Sequence, residues 1–310
     1  MSKTKIITAL FPIFLLLSSF AFSQQTYDIN GLRDLTNYWE INANIGGNAF
    51  LGDLGGNLGI GEPLLKDYMF KTNRLLGGIS GTYNLNNYSA LNFGLNFTKV
   101  VGVDSFITNA GGMERWRWYR NLNFKSNIVE MHGTATLYPI MLIDRKRIEL
   151  HRLNPFLTTG IGVFHFRPQT NLNGEWVDLQ PLSLEGEGFK EYPDRKPYKL
   201  IQIYIPINVG LKYYIDNKWA VSTGVLMRKT FTDYIDDIST TYINPQLFYE
   251  YFPAKKAALA SQLYSRSRTP WKVKPDIEKA DHKDLDSYIT FFIGISIRLD
   301  KYTPFYYPKL

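Results

Sequence analysis

Cysteine is absent from all 310 residues. That excludes disulfide frameworks, zinc ribbons, iron–sulfur clusters, thiol catalysis and the lipidated cysteine of a bacterial lipoprotein. Long apolar runs are also missing: beyond residue 23 nothing approaches roughly 18 uninterrupted apolar residues, so no helical membrane span is expected in the mature chain. Charge of one sign is only mildly in excess, with 35 Lys and Arg against 28 Asp and Glu. Acids interleave with the bases over Lys255–Lys283, which reads as a solvated mixed-charge loop and not as a nucleic-acid stripe, with Ala254–Ala260 a short helix candidate in the same loop. There is no P-loop, no Rossmann glycine fingerprint and no serine-centred elbow. Rings and glycine are plentiful instead, with 20 Phe, 21 Tyr, 6 Trp and 24 Gly. Together with 45% hydrophobic residues and a mean hydropathy of −0.21, they suit strands and aromatic belts.

Lys3 and Lys5 precede an apolar run, Ile6–Leu17, and Ala21-Phe22-Ser23 sets small residues two apart before Gln24. This is the pattern of a cleavable secretory signal over residues 1–23. The competing reading is a membrane anchor, which asks for roughly 20 apolar residues and not the dozen or so present.

From Trp39 onward the chain reads with period two, which puts alternate side chains on opposite faces of a strand. Trp39, Ile41, Ala43 and Ile45 alternate with Glu40, Asn42 and Asn44; Leu91, Phe93, Leu95 and Phe97 with Asn92, Gly94 and Asn96; Val129 and Met131 with Glu130 and His132. Similar runs occur at Leu75–Leu85, Ile201–Tyr213, Trp219–Met227 and Ile289–Leu299, with a weaker one near Phe156–Phe166 where Gly160 and Gly162 blur the alternation. The total is eight strands. Connections at Asn86-Asn87 and Asp216-Asn217-Lys218 are short, and Ile140–Leu153 is modest. Those over Leu51–Thr72, Gly102–Leu122, Arg167–Lys199 and Thr232–Ser287 are long. Short turns at one rim and long loops at the other predict an eight-stranded antiparallel transmembrane β-barrel of the outer membrane, with periplasmic turns and extracellular loops. Residues 38–299 would form the barrel, 24–37 a periplasmic lead-in and 300–310 a tail. Trp39, Tyr83, Tyr88, Tyr138, Tyr213, Tyr214 and Trp219 fall at strand ends assigned to the periplasmic rim and are expected to form an aromatic girdle there. A soluble sandwich or lipocalin-like barrel also alternates, but its core would have to accommodate the polar face.

Eight strands enclose a space that side chains just fill. The inward polar set is predicted as Asn42, Asn44, Arg74, Glu130, His132, Lys212, Arg228 and Arg298, with Asn92, Asn96, Gln202 and Asn208, and opposite charges among them should pair. A general porin is not expected, so function falls to the loops, a rim or the outer wall.

Three stretches carry a family resemblance. They are Asn173–Leu182 (NGEWVDLQPL), Tyr192–Lys196 (YPDRK) and Arg228–Tyr242 (RKTFTDYIDDISTTY), supported by Gly160–Phe164 and Arg120–Phe124. Together they resemble the PorG outer-membrane barrel family of the type IX secretion system over nearly the whole mature chain. The resemblance implies a non-enzymatic barrel that ties the periplasmic ring of the secretion machine to the outer membrane. It marks Trp176, Gln180, Pro181, Tyr192, Pro193, Asp194, Arg195, Phe231, Asp233, Tyr234, Asp236 and Asp237 as motif residues. Outer-membrane lipid and ring proteins are the expected partners, with no cofactor and no nucleic acid. The tail Asp300–Leu310 departs from the usual terminal aromatic of such barrels.

Two constellations carry possible chemistry. His132 lies two residues from Glu130 on one face, either a general base with its orienting carboxylate, as a lipid hydrolase would need, or a structural hydrogen-bonded pair. Asp233, Asp236 and Asp237 could hold Ca²⁺, or could pair with Arg228 and Lys229. Besides the secretion role, a passive or adhesive small barrel and a lipid A-modifying barrel enzyme remain open readings.

Overall fold

A computed structural model describes residues 38–54, 70–107, 115–144, 151–268, 273–280 and 284–299. The secretory signal, the lead-in, the tail and His282 lie outside the described residues.

Among the described residues nine strands occur: β1 (Tyr38–Leu51), β2 (Arg74–Asn86), β3 (Ser89–Val103), β4 (Asn123–Leu137), β5 (Leu153–Leu172), β6 (Glu175–Asp178), β7 (Ile201–Tyr214), β8 (Trp219–Thr230) and β9 (Ser287–Arg298). Eight of them close an antiparallel barrel: consecutive strands pair, β5 pairs with β7, and β9 returns to β1 along Glu40–Leu51. The ninth, β6, is a short flap on β5. Asn173 and Gly174 join the two with φ of 53° and 95°, and an Asn-Gly pair in that conformation is the favoured two-residue hairpin turn. At the turn end, the Asn86 carboxamide oxygen accepts the Tyr88 and Ser89 amides, and Asp216 accepts those of Lys218 and Trp219. These side chains stand in for backbone acceptors and fix the tight reversals.

The wall is apolar outside. Ile45, Leu75, Met131, Ile161 and Ile293 each expose more than half of their side chains, while the alternating Asn96, Glu130, Lys212 and Arg228 are buried. Such a distribution is stable only where the surroundings are hydrocarbon, so this is a membrane barrel by construction. No helix among the described residues is long and apolar enough to span, and none is required.

The described parts of the long loops are not structureless. They fold into a cap that contains α1 (Arg115–Arg120), α3 (Leu247–Tyr251) and α4 (Ala254–Leu263); α2 (Pro139–Ile143) lies at the other end, after β4. The Lys255–Lys283 region, expected as a solvated loop, carries buried Ala257, Ala260, Leu263 and Lys279. One apolar core runs from the barrel mouth (Phe124, Ile128, Phe164, Phe166) into the cap (Leu182, Phe189, Ile235, Ile243, Phe248). The barrel interior is therefore polar only toward the turn end and becomes apolar where the cap seats.

Candidate functional site

The lower end of the barrel is sealed. Lys212 reaches Glu40 at 2.5 Å, Tyr38 donates to the same carboxylate at 3.2 Å, and the Arg298 guanidinium lies 4.3 Å from the Tyr38 ring centre. Tyr138 and Tyr214 are buried in this plug, and α2 tucks Met141 beneath it. These two tyrosines therefore correct the expected girdle. They point inward because their strand positions share the parity of Thr136 and Lys212. Trp39, Tyr213 and Trp219 do face outward, and Trp39 packs on Tyr83 at 5.0 Å.

Above the plug lies a polar chamber of about 120 Å³ lined by Asn42, Asn44, Asn92, Asn96, His132 and Asn208, among others. Asn42 donates to Ser80 and Thr82, and Asn92 to the same two hydroxyls. His132 does not pair with Glu130: its Nε2 sits 3.2 Å from the Asn92 side-chain oxygen, over Gly94. The general-base arrangement is not formed, because Glu130 is fully engaged elsewhere.

Glu130 closes the chamber from above. It is wholly buried and meets Arg228 at 3.1 Å while accepting from Tyr288 at 2.7 Å, Asn96 at 2.9 Å and Tyr204 at 3.4 Å. Arg228 also donates to Thr290, which in turn donates to Asn48. A buried charge survives only with this density of partners. Gly162 makes the layer possible, since a Cβ there would lie 2.3 Å from the Tyr204 ring; the weakened alternation of β5 is the consequence of that glycine. Arg74 has inward parity but donates to the carbonyls of Lys71 and Asn73 at the mouth, away from the chamber.

The cap is built around charge as well as rings. Arg120 is its staple: it takes Asp104 through two hydrogen bonds of 2.9 and 3.0 Å, the Lys279 carbonyl at 2.7 Å and the Asp53 carbonyl at 2.7 Å, tying three loops together. Burial works against its charge, yet Asp104 holds the guanidinium firmly protonated. Nothing in its spacing singled Arg120 out. The only sequence signal was its place in the Arg120–Phe124 stretch.

The motif residues divide between cap core and cap surface. Tyr198 stacks between Phe166 and Tyr234 and donates to Asp237. Asp236 accepts the Leu54 and Ile238 amides, Arg195 donates to Glu185 O and Thr241, and Gln180 donates to the Tyr198 carbonyl while Pro181 opens the turn Gln180–Leu182. Tyr192 lies beneath the Arg195 guanidinium, while Pro193, Asp194, Phe231 and Trp176 are exposed. Asp233, Asp236 and Asp237 are all buried. They do not pair with Arg228 and Lys229, as Arg228 turns into the barrel and Lys229 out onto the wall. Among the described residues no group of three or more His, Asp or Glu could hold a metal ion.

Two carboxylate groups share this core. Glu185 accepts the Ser239 and Thr240 amides and meets Lys279 at 3.2 Å. Burial, then the Glu185 charge, pushes Glu187 up to about 7. Burial and Glu187 likewise raise Asp237, and burial with the neighbouring carboxylates Asp53 and Asp233 raises Asp236. A protonated acid at neutral pH is the physical outcome of crowding carboxyls out of water.

No protein-family model matches the chain, and no curated protein matches it. Solved structures do. Neisserial surface protein A aligns with 10% identity and a TM-score of 0.37, over 84% of this chain and 97% of that one. Ail, the attachment invasion locus protein of Yersinia pestis, aligns with 8% identity and 0.38, over 86% and 100%. Outer membrane protein W of E. coli aligns with 12% identity and 0.35, over 85% and 98%. These are likenesses of barrel architecture.

Proposed function

We propose that this chain is a non-enzymatic outer-membrane barrel of the type IX secretion machinery, with its cap outside the cell and its turn end toward the periplasmic ring. The apolar belt supports the membrane placement. The interior supports a role that does not conduct, because the Glu40–Lys212 plug, the Glu130–Arg228 layer and the seated cap lie one above another along the barrel. Work is left to the two ends.

The observation that carries the reading is where the Arg228–Tyr242 stretch lies. Its residues run from the upper interior layer straight into the cap core: Arg228 on Glu130, Asp236 on the Leu54 amide, and Thr241 bridged to Glu278. The segment with the most specific resemblance is thus the one that joins barrel to cap. A rigid cap on a sealed barrel suits a brace that transmits position between an outer assembly and a periplasmic one. Deleting the gene should abolish export of type IX cargo while general outer-membrane integrity persists; normal cargo export refutes the role. Cross-linking from the turn end in intact cells should capture ring proteins.

A further inference from the structure

The outer wall changes character toward the loop end of β3, β4 and β5. Phe93, Phe97, Val129, Met131, Ile161 and Val163 form the exposed apolar belt. One row further, the register sets Lys99 opposite Asn127, and Asn127 opposite Arg167, across three strands. Lys125 stands in the next outward row, opposite Val101 and Gln169, and so diagonal to both Lys99 and Arg167. Strands lie about 4.8 Å apart and diagonal neighbours about 7–8 Å, within reach of long side chains. Three cations therefore surround one exposed amide, Asn127.

Two of the three are held in place. Arg167 is bound through two hydrogen bonds by Asp178, at 2.7 and 2.6 Å, and the Lys125 ammonium lies 3.7 Å from the centre of the exposed Trp176 ring. Among the described residues no carboxylate pairs with Lys99 or Lys125, and like charges set diagonally repel until an anion joins them. At the turn end of the same wall the described outward positions of the strands hold Trp39, Tyr83, Tyr213 and Trp219 and no Lys or Arg. The two margins of the belt thus face different chemistry.

We propose that Lys99, Lys125 and Asn127, flanked by Arg167 and Trp176, bind a phosphate group of a phosphorylated glycolipid in the outer leaflet. The lipid-borne phosphate, and not the free anion, follows from the wall directly beneath. Phe97 and Val129, with the exposed His165 completing their row, and then Leu95, Met131 and Val163 in the row below receive the acyl chains of a molecule whose headgroup sits at the cationic row, and Trp176 is an amphipathic ring at headgroup level. The inference rests on the reading that the cap faces outward, and is independent of the secretion role.

The test uses the full mature chain in detergent micelles, titrated with lipopolysaccharide, with the same lipid enzymatically dephosphorylated, and with inorganic phosphate. Wild type should bind the phosphorylated lipid. The Lys99→Gln/Lys125→Gln double variant should bind about 20- to 30-fold more weakly, at roughly fivefold per lysine, and dephosphorylation should weaken wild-type binding comparably. Lys229→Gln, an outward lysine near the loop end of β8, should stay within about twofold. Equal binding by the double variant, or of the dephosphorylated lipid by wild type, overturns the site; the second arm needs no variant to fold. Competition by inorganic phosphate at the concentration of the lipid also overturns it, by assigning the site to a free anion. Protease accessibility of the cap on intact cells reads the orientation separately. A shielded cap sinks the outward reading, whereas loss of phosphate dependence in micelles sinks the site and leaves the orientation and secretion readings standing.

Discussion

Met131 on the wall and Tyr249 in the cap expose similar fractions of their side chains, 59% and 53%, yet they face different solvents. Around Met131 the outward residues directly opposite, Leu95 and Val163, are apolar, and the inward neighbours along the strand are Glu130 and His132. Around Tyr249 the pattern inverts: Phe248 is buried against Phe189 and Tyr264, Leu247 is buried in the same core, and Glu250 is exposed. One chain thus obeys two sorting rules within a continuous core. The barrel saves its polar groups for an enclosed interior where each needs a partner, and the cap hides its apolar groups as a water-soluble domain does.

The sharpest way to separate the two regions is to remove the staple of one. Arg120→Ala leaves Asp104 buried without its cation and two carbonyls without a donor, a loss of roughly 3–5 kcal/mol. The cap should be cleaved far faster by a soluble protease, while the barrel keeps its heat-dependent mobility on a gel. Equal loss of both would show that cap and barrel unfold as one unit. The next effect tests the solvent assignment directly. Met131→Arg should destabilise the detergent-borne barrel by about 2–4 kcal/mol, the cost of a cation at the hydrocarbon midplane. Tyr249→Lys, at equal exposure, should change stability by less than about 0.5 kcal/mol. Matching values from urea unfolding would mean the two surfaces see the same medium.

The same contrast explains what was legible in the sequence. A barrel strand repeats every two residues, so Glu40, Glu130 and Lys212 declared their face by parity alone. Parity also set Tyr138 and Tyr214 on the inward face with Thr136 and Lys212; the girdle expectation ran against it because a ring at a strand end suits a membrane girdle and a plug equally well. The cap has no period to read. Its core is assembled from single residues in separate loops, such as Leu54, Leu182, Ile235 and Phe248, whose neighbours are fixed only by the closed barrel beneath. The Asn173-Gly174 pair is a hairpin-turn sequence, yet it falls within Arg167–Lys199, expected only as a long loop, so β6 went unforeseen; the helical composition of Ala254–Ala260 did announce α4, which runs on to Leu263. Asp233, Asp236 and Asp237 misled for a physical reason: acids in a loop are usually solvated, and here the loop folds over them.

Those buried acids give the cap a pH dependence that the wall should lack. Glu187 has an ordinary value of 4.5 and is pushed up to about 7 by burial first and by Glu185 second. A carboxyl with a raised folded-state value binds more protons folded than unfolded, so stability is complete below about pH 4.5. It falls as pH rises through the window to about 7, and is level above it. A rise of that size corresponds to on the order of 3 kcal/mol, opposed in part by the nearby Lys279 ammonium. Glu187→Gln keeps an acceptor for the Glu185 amide, a bond of 3.2 Å, and cannot ionise. Its cap should therefore resist protease better than wild type at pH 8 and match it at pH 4.5, with the slope between them flattened. Asp237, also raised by burial and by Glu187, should retain a weaker slope of its own. A variant with the full wild-type slope would move the titration away from Glu187 and onto the Asp236 group at the base of the cap.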